Sequence, residues 1–261
     1  MEKFSPSLSG KFGIYFFLKP YKAKIRPAEL EIKELGKEDH VFINKKTCYY
    51  TVWGKGPAII FAHGWGSKGL HFAQFVKPLV NLGYTVVIPD FPAHVQSLGK
   101  QTNVLEFKEM IEFLIEEYVI VRAIVAHSLG GLATVLALAE LDVKIPKLVL
   151  SNCSIHAEQI MDEFIKQIGA GNRTKEEMMR ILAERFNTSF QHFSIADRIL
   201  DVKNLPELLI IADESDKQVP VSHGYELNQL VNSELFITKG YGHNNGLRSQ
   251  DVINKVVDFV K

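Results

Sequence analysis

The chain has 261 residues, of which 46% are hydrophobic and 23% charged, and its 30 basic and 30 acidic side chains leave no formal net charge. This length fits one large domain, or one domain with a modest insertion, that buries a sufficient core without metals or disulfides. The balanced charge excludes a global electrostatic field that would attract nucleic acid or an acidic membrane.

The N-terminal region contains a short apolar segment, Phe12–Leu18, which ends at Lys19 and Pro20. It is too short for a transmembrane helix and lacks the apolar core of a signal peptide. It could contact a membrane surface or a partner, although packing back on the domain is the favoured interpretation. Residues 1–55 carry 11 basic and 6 acidic side chains, which suits a solvated surface better than a basic binding face.

The two cysteines, Cys48 and Cys153, are isolated and lack metal-ligand spacing. Isolated thiols are typical of a reducing compartment. We therefore expect a cytoplasmic protein without a membrane span, and the sequence does not distinguish a monomer from a homodimer.

Short apolar runs alternate with segments of helical period from Tyr49 onward. Runs that are apolar throughout belong to strands covered on both faces. Ahead of them, segments 40–43 and 47–52 flank a polar turn and predict an antiparallel hairpin at one sheet edge. The fold class is therefore α/β, a doubly wound and mostly parallel sheet of eight strands. Beyond the hairpin, the predicted strands are 58–62, 85–88, 123–126, 147–150, 208–211 and 235–237, and the helices are 70–81, 104–118, 129–140, 222–230 and 249–260.

One interval, residues 154–204, has no strand signal and interrupts this rhythm between the sixth and seventh strands. Two helices are predicted there, one over about 157–168 and one opening with a capping box at Thr174 and Glu177. An insertion after the carboxyl end of a strand lies over the crevice where such sheets bind ligands. We interpret it as a small helical lid, and the alternative is a structural excursion packed on the sheet edge.

The first chemical motif is Ala126–Gly131, with the sequence AHSLGG, at the junction of a strand and a helix of small residues. A serine on so tight a turn projects its hydroxyl from the sheet edge, and its neighbours at positions two before and two after must be small. Ala126 and Gly130 meet that requirement. The positive end of the helix also favours an oxyanion nearby, so the motif predicts Ser128 as a nucleophile.

The second motif, His63–Gly66, has the sequence HGWG and directly follows the strand at 58–62. An acyl-transfer site needs two preorganised N–H donors for the oxyanion, and removing one typically costs about 3 kcal/mol of barrier. We assign these donors to the backbone N–H groups of Trp65 and Leu129. Without the other motifs, a bare turn would be the better interpretation of this one.

An acidic loop, residues 211–220, leaves a late strand and offers three carboxylates. A carboxylate here would accept a hydrogen bond from a histidine Nδ1–H and so fix the tautomer of the ring. Asp216 is favoured because it precedes Val219 by three residues. Asp213 and Glu214 remain alternatives, with a solvated acidic loop as their ordinary role.

The last motif, Gly240–Asn245, has the sequence GYGHNN and follows the final strand. A histidine among glycines on a loop is sterically free to reach a neighbouring loop, so His243 is the predicted base. His127 lies beside the serine but is expected to point away from its hydroxyl. His94 and His223 have no comparable context.

The order of these motifs, from about Tyr49 to the C-terminus, resembles that of the α/β-hydrolase superfamily, in which nucleophile, acid and base follow successive strands as Ser, Asp and His. Residues 90–97, with the sequence DFPAHVQS, are similar to the loop Asp-x-x-Gly-His-Gly-x-Ser of the family. Ala93 and Val95 replace its two glycines, and Ala126 replaces the usual glycine before the nucleophile. The resemblance implies a single α/β-hydrolase domain over residues 1–261 with the lid at 154–204.

The resemblance further implies a serine esterase that hydrolyses a small-molecule carboxylic ester through an acyl-enzyme, without a metal or organic cofactor. Thioester, amide or carbon–carbon bond hydrolysis on the same triad is an alternative, and a non-catalytic ligand-binding relative is another. Met161, Phe164 and Met178 of the lid are candidates for the acyl pocket. They could equally form the core of the lid itself.

Overall fold

The structure is a computed structural model that describes residues 6–261 and contains one eight-stranded sheet with the order β1-β2-β4-β3-β5-β6-β7-β8. The β1–β2 and β2–β4 pairings are antiparallel and the other five are parallel. The predicted fold class and hairpin are thereby confirmed. The strands are β1 Lys37–Ile43, β2 Lys46–Trp53, β3 Ala58–Ala62, β4 Thr85–Pro89, β5 Val121–His127, β6 Lys147–Ser151, β7 Glu207–Asp213 and β8 Glu234–Thr238.

Helices cover both faces of the sheet. Side chains alternate between the two faces along each strand, so Ile60 of β3 joins one hydrophobic cluster while Ile59 and Phe61 join the other. The first cluster includes α4, α5 and the helices between β6 and β7, and the second includes α3 and α11. The helices are α1 Pro6–Phe17, α2 Pro27–Glu34, α3 Ala73–Asn81, α4 Val104–Glu117, α5 Leu129–Glu140, α6 Ala157–Gln167, α7 Asn172–Phe186, α8 Ile195–Arg198, α9 Ser222–Leu230, α10 Gly242–Asn245 and α11 Gln250–Val260.

Helix ends follow local chemistry where a capping side chain is present. Asn103 is the N-cap of α4. Its side-chain oxygen accepts hydrogen bonds from the backbone amides of Leu105 and Glu106, at 2.9 and 3.2 Å, as an N-cap does. In contrast, α7 begins at Asn172, two residues before the predicted capping box. Thr174 lies inside the first turn, and its hydroxyl is 3.0 Å from the hydroxyl of Ser9 on α1.

The N-terminal helix α1 packs on α7 through two glycines. A Cβ atom on Gly10 would lie 2.4 Å from the Cγ of Glu177, and one on Gly13 would lie 2.4 Å from the Sδ of Met178. Only glycine lets the two helices approach this closely. The apolar N-terminal segment therefore packs back on the domain, as the favoured interpretation predicted.

The segment that joins α1 to the sheet is held by a buried cation. Lys68 forms an ion pair with Glu29 of α2 and donates a hydrogen bond of 2.6 Å to the carbonyl of Lys24. The Trp53 indole donates to the carbonyl of Ile32 at 2.8 Å. A buried charge is stable when it is paired and hydrogen-bonded, so these contacts fix the N-terminal region against the sheet.

Within residues 6–261, no helix combines the length and apolarity that crossing a bilayer requires. Cys48 and Cys153 are buried and unpaired. Burial raises the pKa of each thiol to about 12, so both remain protonated and unreactive near neutral pH. The cytoplasmic location stays a prediction.

Candidate active site

Ser128 occupies a strained turn between β5 and α5, with φ 54° and ψ −125°. Such backbone angles are rare for residues with a side chain and occur where the surrounding structure enforces them. Here the turn brings Gly130 so close to β3 that a Cβ atom would lie 2.3 Å from the carbonyl oxygen of Ala62. Buried Ala126 tolerates its methyl group. The sequence departure at Ala126 therefore leaves the elbow intact.

His243 connects the serine to the acidic loop. Its Nδ1 is 2.7 Å from the Oδ2 of Asp216, and its Nε2 is 3.0 Å from the Oγ of Ser128. Because the carboxylate only accepts, Nδ1 carries the proton and Nε2 accepts from the serine hydroxyl. His243 lies in the single helical turn α10, rather than on the open loop that was predicted. The structure thus brings the three predicted catalytic side chains together.

The Asp216 carboxylate accepts four hydrogen bonds. Its Oδ1 accepts from the amides of Gln218 and Val219, at 2.8 and 3.0 Å, and its Oδ2 accepts from His243 and from the Asn152 side chain. Burial alone would raise the pKa of this carboxyl, but the hydrogen bonds, led by that from His243, lower its pKa to about 2. Asp216 is therefore ionised at any pH where the protein would act.

The competing acids of the loop have other partners. Asp213 is buried and accepts hydrogen bonds from the Thr238 hydroxyl and from the amides of Ser215, Tyr241 and Gly242. It therefore ties the acidic loop to the turn that carries the histidine. Glu214 is exposed and pairs with Lys239 at 3.0 Å. Neither side chain contacts the histidine.

The loop after β3 brings its backbone against the serine. A Cβ atom on Gly64 would lie 2.8 Å from the Cβ of Ser128, so glycine is required at this approach. In the described part of the chain, the backbone N–H groups of Trp65 and Leu129 donate no hydrogen bond to a protein acceptor. Buried backbone donors are nearly always paired. Two unpaired donors beside the serine are thus available to a bound ligand.

Two histidines that the sequence did not single out support this loop. His63 donates from Nδ1 to the carbonyl of Gly64 at 2.8 Å and accepts at Nε2 from the Phe91 amide at 3.1 Å. His94 accepts from the Gly66 amide at 2.9 Å. Burial lowers the pKa of both rings, that of His94 to about 4, so both stay neutral and each can accept a hydrogen bond. In the sequence, the only signals of these supporting roles were the glycine-rich motif around His63 and the loop motif around His94.

His127, beside the serine, forms no hydrogen bond with the serine hydroxyl in the described part of the chain. Its Nε2 lies 2.7 Å from the backbone carbonyl of His243 and donates to it, which leaves Nδ1 as an acceptor. That Nδ1 is buried and has no partner among residues 6–261. Burial lowers the pKa of His127 to about 3. The neutral ring therefore fastens the elbow to the turn that carries the predicted base.

Asn152, just after β6, is a site residue that sequence analysis missed. Its side chain donates to the Oδ2 of Asp216 at 2.7 Å, and its φ is 50°. Asparagine tolerates this left-handed backbone better than most residues. A polar residue at the carboxyl end of a central strand was the available signal.

The loop after β4 has left-handed backbone angles at the two positions where the family pattern has glycine. Ala93 and Val95 have φ values of 65° and 45°. The loop is fixed by Asp90, which accepts from the Gly69 amide at 2.9 Å, and by Ser97, whose hydroxyl donates to the Asp90 carbonyl at 2.5 Å. Non-glycine residues in this region carry strain. These hydrogen bonds hold the loop in that conformation.

A cavity of about 350 Å³ opens above the serine. Its walls come from α1, from α6 and α7, and from the loops at the carboxyl ends of the strands. Of the three predicted pocket residues, Phe164 lines this cavity, whereas Met161 and Met178 do not and are fully buried in the core. Met178 packs against Gly13 because α1 covers that face of α7. The apolar part of the wall includes Phe16, Phe17, Trp65, Leu129, Leu132, Ile160, Phe164, Leu182, Phe186, Phe190 and Phe193.

Metal-ligating side chains do not cluster in the part of the chain that is described: no three His, Cys, Asp or Glu residues of 6–261 are placed to hold an ion. Ser128 and His243 line the cavity, and with Asp216 behind them they form one polar line from carboxylate through imidazole to hydroxyl. Such a line transfers a proton from the hydroxyl to the ring when an electrophile approaches the serine.

Comparison with known proteins shows which family this chain resembles in sequence. Residues 57–189, just over half of the chain, match the sequence pattern of a family described by the alpha/beta hydrolase fold. Among solved structures, an esterase of Pyrococcus furiosus superposes with a TM-score of 0.68 at 18% identity, over 93% of this chain and 96% of that one. A thioesterase domain from the curacin biosynthetic pathway gives 0.61 at 15% identity, over 86% and 99%. At these identities the similarity shows a shared fold.

Two curated relatives match shorter stretches. One is the magnesium-chelatase 30 kDa subunit of Rhodobacter capsulatus, 34% identical over 104 residues, which are 38% of this chain and 36% of the relative. The other is a Mycoplasma genitalium protein assigned as an esterase/lipase, 22% identical over 145 residues, which are 50% and 54%. The matches span about a third to a half of the length of these relatives, and their names point to different chemistries.

Proposed function

The chain belongs to the α/β-hydrolase fold family, and from this premise we propose that it is a serine hydrolase of carboxylic esters with an apolar acyl group. The observation that carries the proposal is the continuous hydrogen-bonded line from Asp216 through His243 to Ser128, which ends beneath an apolar cavity. A structural serine would not need a strained backbone, a buried ionised partner and an open approach together.

In the proposed mechanism, the Nε2 of His243 removes the hydroxyl proton as the Oγ of Ser128 attacks the ester carbonyl. Ionised Asp216 holds the Nδ1–H and stabilises the imidazolium that forms. The free amides of Trp65 and Leu129 receive the oxyanion, and the positive end of α5 adds to their field. The imidazolium then protonates the leaving alcohol, and water repeats the cycle on the acyl-enzyme.

The apolar wall supports the acyl side of this proposal. Aromatic rings from α1, α6 and α7 line the volume above the serine, together with the charged side chains of Lys19 and Glu163. Each buried methylene of an acyl chain would contribute about 0.8 kcal/mol of binding free energy. We therefore infer a small or medium acyl chain as the preferred group. In the same proposal, residues 154–204 form the lid of a single domain.

The test is turnover of p-nitrophenyl esters from acetate to decanoate, together with labelling by a fluorophosphonate, in the wild type, Ser128→Ala and Ser154→Ala. Loss of the nucleophile is expected to lower kcat by about 10⁶-fold and to abolish labelling. Ser154 is the matched control because its hydroxyl lines the same cavity but donates to the carbonyl of His156.

Three outcomes separate the alternatives. Labelling that persists in Ser128→Ala would contradict the nucleophile assignment. Labelling without ester turnover in the wild type would redirect the proposal to another acyl class, such as thioesters or amides. Saturable binding of apolar esters with neither labelling nor turnover would favour a ligand-binding relative.

A further inference from the structure

The N-terminal helix α1 is apolar on two faces, but the fold covers only one of them. Its inner face, with Gly13, Ile14 and Phe17, packs on α7 and α6. Its outer face presents Phe12 and Phe16 to solvent at 47% and 55% exposure. A helix that is apolar all round is normally buried on all sides. The outer face is therefore a surface that residues 6–261 leave uncovered.

The outer face also includes Tyr15, which is 47% exposed and packs edge-on against Phe16 with ring centroids 5.3 Å apart. Positions three and four apart share one face of a helix, so Phe12, Tyr15 and Phe16 form one patch. We call these three residues the α1 patch. An exposed contiguous patch of large apolar side chains is typical of an interaction site.

The α1 patch continues into the mouth of the cavity. Phe16 is exposed and also lines the cavity, and Tyr21 lies with its ring over Gly66 while remaining 72% exposed. Apolar surface thus runs without interruption from the outside of α1 to the space above Ser128. Whatever covers the patch therefore also stands at the entrance to the cavity.

The segment that carries the patch has charges of one sign, whereas Glu163 of α6 and Glu177 of α7 lie beside it. Residues 6–28 contain five basic side chains and no acidic one. All five, Lys11, Lys19, Lys22, Lys24 and Arg26, are exposed. The nearby carboxylates Glu177 and Glu184 of α7 are already paired with Arg180. An apolar stripe bordered by cations is the pattern of helices that lie in a membrane interface.

We propose that the α1 patch docks the protein on an anionic lipid surface, so that the cavity opens toward the lipid and receives acyl chains from it. The aromatic side chains enter the boundary between headgroups and acyl chains, and the lysines lie among the phosphates. A second copy of the chain fits this face less well. A symmetric dimer would place five positive charges opposite five others, with no acidic side chain in the segment to offset them.

The test is flotation of the intact protein with phosphatidylglycerol–phosphatidylcholine vesicles, with pure phosphatidylcholine vesicles and without vesicles. We expect wild-type protein to float with the anionic vesicles and to bind less as salt screens its lysines. The variant Phe12→Glu/Tyr15→Glu should require at least about tenfold more lipid for half-maximal binding, because it replaces two apolar anchors by charges. Neither residue lines the cavity, so its turnover of a short soluble ester should stay at the wild-type level.

The matched control is Val119→Glu, which changes a fully exposed apolar residue elsewhere and should float like the wild type. Ser128→Ala should also float, because docking does not use the nucleophile. A failure of the proposed ester chemistry would then leave flotation unchanged and is distinguishable from a failure of docking. The proposal is overturned if wild-type protein does not float, or if sedimentation velocity shows a dimer that Phe12→Glu/Tyr15→Glu converts to monomer without any vesicle binding.

Discussion

The cavity has a floor and a roof that are held together in different ways. The floor consists of the loops after β3, β5, β7 and β8, and its parts are joined by short hydrogen bonds, such as those of Asp213 and His127. The roof consists of α1, α6 and α7. Besides the polar contacts Ser9–Thr174 and Lys175–Asp162, these helices meet through apolar contacts such as the edge-on pair of Phe17 and Phe164, with centroids 5.0 Å apart. Hydrogen bonds fix distance and direction, whereas apolar packing fixes mainly volume.

In the proposed function, this difference separates chemistry from selectivity. The floor must keep the serine, the imidazole and the carboxylate within a few tenths of an ångström, and directional bonds do so. The roof has only to enclose an acyl group, and aromatic packing does so while tolerating changes in size. We therefore expect substitutions in the floor to change kcat and substitutions in the roof to change KM and chain-length preference.

The strongest test of the floor is Asp216→Asn. The side-chain amide of asparagine would present an N–H group to the Nδ1 of His243, where the carboxylate now accepts a hydrogen bond. The Nδ1 would then have to accept, so the proton would move to Nε2 and the ring would be held in the wrong tautomer. We expect kcat for p-nitrophenyl butyrate to fall by about 10⁴-fold with the fold intact. Glu214→Gln removes a neighbouring exposed charge and should leave kcat near the wild-type value. Equal losses in the two variants would mean that Asp216 does not act through the histidine.

A smaller loss in the floor is expected from Asn152→Gly. Glycine suits the φ of 50° at this position, so the variant removes the side-chain donor to Asp216 without backbone strain. The other bonds lost are long, 3.3 Å from the Ser151 hydroxyl and 3.5 Å to the Gly242 carbonyl. Hydrogen bonds to charged groups contribute about 1.5–3 kcal/mol, and we expect kcat to fall by about 10- to 100-fold. Thermal unfolding should be measured alongside it. Unchanged kcat would mean that the amides of Gln218 and Val219 alone hold the carboxylate.

The same division explains how much the sequence could predict. Each of the six predicted strands beyond the hairpin lies within an observed strand. These runs are short, apolar throughout and bounded by turn residues, which favours a buried strand over a helix. The structure also brings Ser128, Asp216 and His243 together, since parallel strands place the loops that follow them on one rim. Their catalytic roles remain predictions.

The contacts between distant segments could not be predicted. His94 reaches Gly66 and Asn152 reaches Asp216 across 28 and 64 residues, and neither pair has a local pattern. In the roof, the sequence showed which positions of α6 and α7 are apolar, but it did not show which of them face the cavity. Met161 and Met178 turn inward because the rest of the core and α1 occupy their side of the insertion. Apolar periodicity shows which face of a helix is buried, but it does not show which part of the protein covers that face.

The roof is tested by Phe164→Ala. Removal of this ring enlarges the cavity between α1 and α6, so an acyl chain of the preferred length loses contacts. We expect KM for a medium-chain ester to rise by about tenfold, equivalent to about 1.4 kcal/mol, with kcat unchanged and the preferred chain shifted to longer esters. Met178→Ala is the matched control, and it should lower stability by about 2–5 kcal/mol without a shift in chain length. The opposite pattern would place Met178, rather than Phe164, at the substrate.

The smallest effect is expected in the loop after β4, which supports the loop after β3 through His94 and carries strain that its hydrogen bonds must overcome. Val95 has a φ of 45°, and a β-branched residue is a genuine outlier there. Relief of left-handed strain contributes about 1–2 kcal/mol, and the entropy of glycine and the lost apolar contacts of a half-buried side chain offset most of this gain. We expect Val95→Gly to raise the free energy of unfolding by between zero and about 1 kcal/mol in urea titrations. Val143→Gly, at a half-buried loop valine without a positive φ, should instead lower it. A comparable loss of unfolding free energy in both variants would show that Val95 carries no strain and that this loop does not need glycine at position 95.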